Sequence, residues 1–254
     1  MFTDLTKWGQ DLAAKKGVEL SLFIKDLDTG DEFSFNERMV HSSASIIKIP
    51  IMMAVLEKGG LDDFLFLKDE NKVDFSVVTE IGEASYTTQE YLSWMMIESC
   101  NASTNVLIDH VGFDSVNKIF EGLAMEDTVL GRKMMDFEAR KAGRDNFTTA
   151  KDMALLLEAI YLEDYFGSSS SKKAIEIMKG CRSFNLLPRY HPYPIPFAHK
   201  TGGLDEVSHD VGILFGKRNL LVCALTTSES DSEDDPRRTH LLGQLGRRII
   251  EEVK

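Results

Sequence analysis

The sequence predicts a mixed α/β (α+β) fold, in which an antiparallel sheet is flanked by N- and C-terminal helices and an all-α lobe is inserted. Strand-like apolar patterns occur near both ends of the chain, and the middle has helical periodicity. A proline-rich segment separates the helical part from the C-terminal strands. We therefore expect an α/β lobe from residues 1–42 and 188–254, and a helical lobe from residues 43–187, together forming one domain. The chain of 254 residues, 43% of them hydrophobic, is long enough to bury such a core.

The N-terminal part is predicted to form a helix followed by a hairpin. A helical pattern runs from about Thr3 to Lys16. The strand candidates Glu19–Asp26 and Glu32–Phe35 follow, and Asp28-Thr29-Gly30 supplies the turn between them.

The middle of the chain is predicted to be helical, with Thr or Asp near several helix starts and Gly near several ends. The predicted helices are Ile47 to Lys58, Thr88 to Ser99, Ala102 to His110, Asp114 to Gly122, Thr149 to Tyr161 and Ser171 to Lys179.

The C-terminal part begins after a segment that cannot be helical. Four of the six prolines fall there within nine positions, which predicts an extended crossing. These prolines are Pro188, Pro192, Pro194 and Pro196. The predicted strands are Phe197 to Thr201, Val207 to Gly216 and Leu220 to Thr227, and the final helix is Arg237 to Val253.

Composition and charge exclude several function classes. The net charge of −12 argues against nucleic-acid binding, because a phosphate backbone requires a basic face. The densest acidic run, Glu229 to Asp235, is predicted to be a solvated loop, with a charged docking site as the alternative. No stretch approaches the roughly 20 apolar residues that a membrane span needs.

The N-terminal residues do not resemble a signal segment, so we expect a cytoplasmic protein, or a secreted or periplasmic one if a leader has been removed. The three cysteines contain no C-x-x-C pair, which fits a reducing compartment. The oligomeric state is not defined by the sequence, and we expect a monomer. The six histidines show no H-x-x-x-H or H-x-H spacing, so we expect no metal site and no cofactor.

Three short strings carry the chemistry. They are Ser45-Ile46-Ile47-Lys48, Ser99-Cys100-Asn101 and Lys200-Thr201-Gly202. Each is weak evidence by itself, because Ser-x-x-Lys occurs four times in the chain and Ser-x-Asn five times. Their order and context are more informative. An apolar helical run follows the first string, helical segments flank the second, and strand-like residues follow the third.

The first string has the geometry of an activated nucleophile. A serine hydroxyl needs a base to become nucleophilic, and residues three apart on a helix share one face, so Lys48 is placed to reach Ser45. Pro50 is tolerated only near a helix start, which puts Ser45 within about one turn of the N-terminus. The alternative is that Ser45 only caps the helix and Lys48 lies on the surface.

Together the strings resemble the active-site signature of class A serine β-lactamases and penicillin-binding D,D-peptidases over nearly the whole chain. The resemblance implies a β-lactamase/transpeptidase-like fold and a small-molecule substrate, a β-lactam or peptidyl amide. By this resemblance Ser45 is acylated, Lys48 is the general base, Ser99 relays a proton to the leaving nitrogen and Asn101 binds the acyl amide. From residue type, Asn101 is also suited to cap the helix that starts at Ala102.

The third string is predicted to be an edge strand that faces the cleft. Lys200 and Thr201 offer a cation and a hydroxyl suited to a substrate carboxylate, and Gly202 and Gly203 let the backbone approach a ligand closely. The resemblance assigns the two oxyanion-hole N–H groups to Ser45 and Gly203. The alternative is a strand that merely ends in a turn.

The sequence departs from class A enzymes in the loop that follows Arg132 and after Gly203, and by one residue within the second string. Where that family has the glutamate that activates the deacylating water, this chain has Met134, and Asp136 or Glu138 would substitute only if the loop follows a different path. Cys100 also stands where the family usually has aspartate.

The second departure follows Gly203, where the arginine that helps many class A enzymes hold the substrate carboxylate is missing. His209 and Lys217 are the substitutes considered, with a core or surface role as the alternative. Three hypotheses remain: a β-lactamase with true turnover, a D,D-peptidase or esterase with the same acyl-serine, and a covalent β-lactam-binding or sensing module.

Overall fold

The elements alternate between a sheet-forming part at the chain ends and a helical part between them. The structure, a computed structural model, describes residues 2–192 and 195–252. The first half contains α1 (Phe2–Lys16), β1 (Glu19–Asp26), β2 (Glu32–Phe35), β3 (His41–Ser42), a 3-10 helix (Ala44–Ile47), α2 (Lys48–Lys58), β4 (Phe64–Phe66), a second 3-10 helix (Asp69–Asn71), α3 (Val77–Ile81), β5 (Ser85–Thr87), α4 (Thr88–Ile97), α5 (Asn101–Val111) and α6 (Phe113–Gly122). The second half contains α7 (Phe137–Lys141), β6 (Phe147–Thr148), α8 (Ala150–Leu162), α9 (Gly167–Met178), β7 (Phe197–Leu204), β8 (Val207–Leu214), β9 (Leu220–Thr227) and α10 (Pro236–Glu252).

The main sheet has five antiparallel strands in the order β2-β1-β9-β8-β7. The central pairing joins β1 to β9, with Glu19 opposite Thr227 and Asp26 opposite Leu220. Strand β7 is an edge of this sheet, so one row of its backbone groups has no strand partner there and is available to a ligand. The mixed α/β fold with an antiparallel sheet is confirmed.

Strands β1 and β9, at the centre of the sheet, are buried on both faces, which explains why most of their residues are apolar. Leu22 and Ile24 of β1 pack with the terminal helices α1 and α10. Phe23, on the opposite face of the same strand, belongs to the larger core formed with the helical part. Because this larger core joins residues from both parts of the chain, the division into lobes at residues 42/43 and 187/188 stays a prediction.

The bounds of the long elements agree with the sequence expectations, and the short elements were missed. Strands β1, β2 and β9 begin and end at the predicted residues, and β7 extends three residues further, to Leu204. Helix α9 starts at Gly167 instead of Ser171, because the serine run is part of the helix. The missed elements span two to five residues each, too short for any periodicity. Of the predicted proline crossing and final helix, Pro194 and Val253 lie outside the described residues.

None of the helices in residues 2–192 and 195–252 is both long and apolar enough to cross a membrane.

Candidate active site

A cleft forms where the edge strand β7 meets the 3-10 helix at Ala44–Ile47 and the junction between α4 and α5. The loop of residues 130–147 closes it on the remaining side, and its volume is about 370 Å³. The lining residues are Ala44, Ser45, Phe75, Glu98, Ser99, Asn101, Arg132, Met134, Met135, Phe137, Arg140, Asn146, Gly203, Leu204, Asp205 and Glu233. The three sequence strings, which are far apart in the chain, therefore meet at one place.

Ser45 lies inside the 3-10 helix that leads into α2, and its side chain is half-buried at the cleft. The N-cap position of this helix is Ser43, so Ser45 is not a capping residue. Lys48 begins α2 and is fully buried, which also rules out a surface role. Ala44, directly before Ser45, has a φ of +45°, a conformation that non-glycine residues rarely adopt.

The Lys48 ammonium donates to three oxygens across the cleft. Its Nζ lies 2.8 Å from Ser99 O, 3.1 Å from Ser99 Oγ and 2.9 Å from Asn101 Oδ1. An ammonium group has three donors and no acceptor, so Lys48 can take up a proton only as the neutral amine. Burial, followed by the nearby charge of Lys200, holds the pKa of Lys48 well below its usual range. Both effects favour the form that acts as a base.

The Ser99 hydroxyl is held between two lysines. Lys48 Nζ and Lys200 Nζ donate to Ser99 Oγ at 3.1 and 3.0 Å. A hydroxyl oxygen has two lone pairs, so these bonds leave its own proton free to donate to a ligand. Ser99 has a φ of +55°, a strained conformation that costs on the order of 1–3 kcal/mol and is imposed by the helices on either side.

Asn101 does not cap α5 as its residue type suggested. It is the first residue of the helix, and its Nδ2 donates to Asp74 O at 3.3 Å while its Oδ1 accepts from Lys48. Ser76, from a separate loop, caps the helix instead, since its Oγ accepts from Ala102 N at 2.8 Å. Asn101 lines the cleft, and Lys48 and Asp74 orient its amide there. The Cys100 side chain is fully buried in the apolar core.

Strand β7 brings the third string against the nucleophile. Lys200 is buried, and its Nζ donates to Thr201 O at 2.9 Å as well as to Ser99. Burial lowers the pKa of Lys200. A Cβ on Gly202 would lie 3.0 Å from Ser45 N and 3.1 Å from Ile46 N, so glycine is what lets β7 approach the 3-10 helix so closely.

The loop of residues 130–147 holds Met134 at the cleft by its backbone. Asn105 Oδ1 accepts from Met134 N at 2.8 Å, and Asn105 Nδ2 donates to Met134 O at 3.1 Å. The loop is closed by the buried pair of Arg132 and Asp145, with Nε and Oδ1 2.6 Å apart. Asn146 joins its two ends, because its Oδ1 accepts from the backbone N–H of Gly131 and Arg132.

The structure places Asp136 and Glu138 outside the lining of the cleft. The Asp136 side chain caps α7, accepting from Ala139 N at 2.9 Å. Glu138 is exposed and pairs with Lys141 at 2.7 Å. Neither carboxylate lines the cleft, because both side chains are engaged at the outer surface of the loop.

The two substitutes for the missing arginine also lie elsewhere. His209 is fully buried, its Nε2 is 2.8 Å from Ser42 O, and its ring packs edge to face on His41. Lys217 is exposed at the turn between β8 and β9. His209 is thus a core residue and Lys217 a surface residue.

Sequence reasoning missed several residues of the cleft. Four of the seven non-glycine residues with positive φ in the described part of the chain line it, which marks the cleft as the strained part of the backbone: Ala44, Phe75, Ser99 and Met135. Glu233 is also a lining residue, although the acidic run that contains it was predicted to be a solvated loop. No periodic or spacing signal distinguishes it from its acidic neighbours.

Comparison with known proteins places the chain in context. The model of the β-lactamase enzyme family matches residues 4–253. Among solved structures, PBP-A has a TM-score of 0.88 and 23% identity over 98% of this chain and 96% of its own, and a PBP-A mutant was solved as an acyl-enzyme complex with penicillin G. A β-lactamase of Sphaerobacter thermophilus DSM 20745 has a TM-score of 0.85 and 25% identity, over 100% of this chain and 97% of its own. An ancestral class A β-lactamase has a TM-score of 0.86 and 22% identity, over 98% of this chain and 99% of its own. No curated protein matches the sequence.

Proposed function

Because the chain belongs to the β-lactamase enzyme family, we propose that it is a serine hydrolase that opens a β-lactam or related amide through an acyl intermediate on Ser45. The observation that carries this proposal is the Ser99 hydroxyl between two buried lysines, Lys48 and Lys200, beside Ser45 in one cleft. The PBP-A mutant that forms an acyl-enzyme with penicillin G has a similar fold, which supports the same chemistry here.

Acylation begins with proton transfer from Ser45 to neutral Lys48. The Ser45 Oγ then bonds to the amide carbonyl carbon, and the negative charge that develops on the carbonyl oxygen is stabilised by the N–H groups of Ser45 and Gly203. The close approach of Gly202 to Ser45 N supports this assignment, because it keeps the edge strand and the 3-10 helix on the same side of the cleft.

Collapse of the intermediate breaks the carbon–nitrogen bond. Ser99 gives its proton to the leaving nitrogen, and Lys48 returns to Ser99 the proton that it took from Ser45, so the lysine ends as a neutral amine. Lys200 stabilises Ser99 as the transfer takes place, because it donates to the same oxygen.

Deacylation is the step that this chain is poorly equipped to perform. A thioether cannot activate water as a carboxylate can, and Met134 stands where the glutamate of class A enzymes is expected. This residue favours a second candidate function, a covalent β-lactam-binding or sensing protein that acylates and turns over slowly. A D,D-peptidase or esterase would use the same acyl-serine.

The test is a time course of intact protein mass after mixing with penicillin G, together with analysis of the products. We expect an adduct on Ser45 that persists over many minutes, and free protein with accumulating hydrolysed penicillin would instead establish a β-lactamase with another deacylating group. Ser45→Ala should abolish labelling, whereas Ser43→Ala, which removes the neighbouring hydroxyl, should not. Labelling that survives in Ser45→Ala would move the nucleophile elsewhere.

A further inference from the structure

The end of the cleft beside Lys200-Thr201-Gly202 contains a carboxylate, the side chain of Glu233. The Glu233 side chain lies across Gly203, so that a Cβ built on Gly203 would overlap its carboxylate. Glu233 is open to solvent at the mouth of the cleft and lines it together with Ser45 and Ser99. The carboxylate is also close enough to Lys200 and Lys48 to interact with both charges.

The backbone around Glu233 is held by a buried arginine. Arg238 is fully buried, and its Nη2 donates to Ser232 O and Asp205 O, both at 2.8 Å. Ser208 Oγ donates to Glu233 O at 3.3 Å. These bonds join the loop before α10 to the turn between β7 and β8 through backbone carbonyls. The position of Glu233 therefore does not depend on its own side chain.

The surrounding rim does not neutralise this charge. Asp205 lines the same end of the cleft. Partial burial raises the pKa of Glu233, the charges of Asp234 and Asp205 add to this effect, and Lys200 and Lys48 oppose it. Of the described side chains that line the cleft, the two cationic ones are already paired. Arg132 pairs with Asp145, and Arg140 pairs with both Asp145 and Glu206.

A substrate carboxylate bound beside Lys200 and Thr201 would share this space with Glu233. Many class A enzymes place an arginine after the third string to hold that carboxylate, and this chain has the opposite charge at the same end of the cleft. Two carboxylates at close range repel each other, and an ammonium group there would be attracted.

We infer that Glu233 is a specificity-determining residue that selects acyl donors whose leaving group is uncharged or cationic over those whose leaving group carries a carboxylate. This inference rests on the proposed acyl-serine function and names the substrate class of the same cleft. Penicillin G carries a carboxylate next to its scissile amide, so Glu233 slows its acylation without preventing it.

The test uses three thioesters that share one acyl group and differ in the charge of the leaving thiol. The leaving groups are mercaptoacetate, mercaptoacetamide and thiocholine, which are anionic, neutral and cationic. In each reaction the Ser45 Oγ–carbonyl bond forms, the carbon–sulfur bond breaks, and the serine proton ends on the thiol. Release of the thiol gives the second-order rate constant of acylation for the wild type and Glu233→Gln, whose side chains have the same shape.

In Glu233→Gln we expect the rate constant to rise about tenfold with the mercaptoacetate ester and to fall about tenfold with the thiocholine ester. The neutral ester should change less than about twofold, and both charged effects should shrink at high salt, because the site is open to solvent. Penicillin G should label Glu233→Gln faster than the wild type. Asp231→Asn is the matched control, since it removes an exposed charge from the same loop away from the cleft.

Equal changes with all three esters, or no change, would overturn this inference and leave the acyl-serine function standing. If neither penicillin G nor any ester acylates Ser45 in the wild type, both proposals are wrong. Thermal unfolding of Glu233→Gln should match the wild type, because the loop is held by its backbone.

Discussion

The two walls of the cleft differ in whether they present the side chains that the proposed reaction needs. On one wall, Lys48, Ser99 and Lys200 form a continuous hydrogen-bonded chain in which each lysine reaches the same hydroxyl. On the other wall, the loop of residues 130–147 is just as firmly held, by Asn105 and by the pair of Arg132 and Asp145, yet it presents a methionine. The loop is therefore firmly held although the side chain that it presents to the cleft, Met134, has no basic group.

The largest effect on acylation is expected from replacing Lys48, the proposed base on the first wall. Lys48→Met keeps an unbranched side chain that is one atom shorter and cannot take the proton from Ser45, so acylation should slow by roughly 100- to 10,000-fold. In the wild type the acylation rate should rise with pH and level off below the usual lysine pKa near 10.5, because only neutral Lys48 is active and its pKa is lowered. Rate constants from pH 5 to 10 test this. A Lys48→Met protein that is folded and acylates normally, or a wild-type rate that keeps rising up to pH 10, would contradict this assignment.

The next largest effect is expected at the second wall, where Met134→Glu tests whether a single carboxylate is all that deacylation needs. In Met134→Glu, the clamp from Asn105 remains because it binds the backbone, and the new carboxylate lies at the cleft, so loss of the adduct should speed up by about 100-fold. Met134→Gln is the matched control, with the same shape and no basic group. The decay of the penicillin adduct, followed by intact mass, separates the two variants. Equal decay rates would show that the loop path or another residue limits turnover.

The smallest effect concerns the structural part of the second wall. Asp145 accepts from Arg132, Arg140 and Ser42, so Asp145→Asn leaves buried guanidinium charge poorly compensated and should lower the free energy of unfolding by about 3 kcal/mol. Acylation of Ser45 should change far less than in Lys48→Met, because the two walls are supported separately. Glu138→Gln, which breaks an exposed pair with Lys141, should change stability by less than about 0.5 kcal/mol. Chemical denaturation measures both, and equal destabilisation would contradict the assignment of Asp145 as the loop's anchor.

The sequence was sufficient for the long elements and for the residues with distinctive chemistry. Strands β1 and β9 were predicted to their ends because both of their faces are largely buried and most of their residues are apolar. The three strings were recognisable because serine, lysine and glycine in that order resemble a known family. Their assembly into one cleft depends on β7 packing against the 3-10 helix, which the close approach of Gly202 to Ser45 makes explicit.

What the sequence could not indicate depends on partners that are distant in the chain. Asn101 has the residue type of a helix cap, but Ser76 occupies that role from another loop. Glu233 has the same residue type as its acidic neighbours. Its place at the cleft depends on the hydrogen bonds that buried Arg238 donates to the backbone carbonyls of Ser232 and Asp205. Such choices are made by tertiary packing, which local residue preferences do not encode.

The pairing of β1 with β9 has a consequence for how the protein acquires its cleft during synthesis. Residues 19–26 can form the centre of the sheet only after residues 220–227 have been synthesised. Strand β7 pairs with β8, which in turn pairs with β9. Such long-range pairing slows folding, because the chain loses the entropy of a very large loop before the contacts that compensate for it are made. A nascent chain that ends before β9 would carry Ser45, Ser99 and β7 without the strand that joins β1 to β8, so the proposed site can assemble only after residues 220–227 have been made.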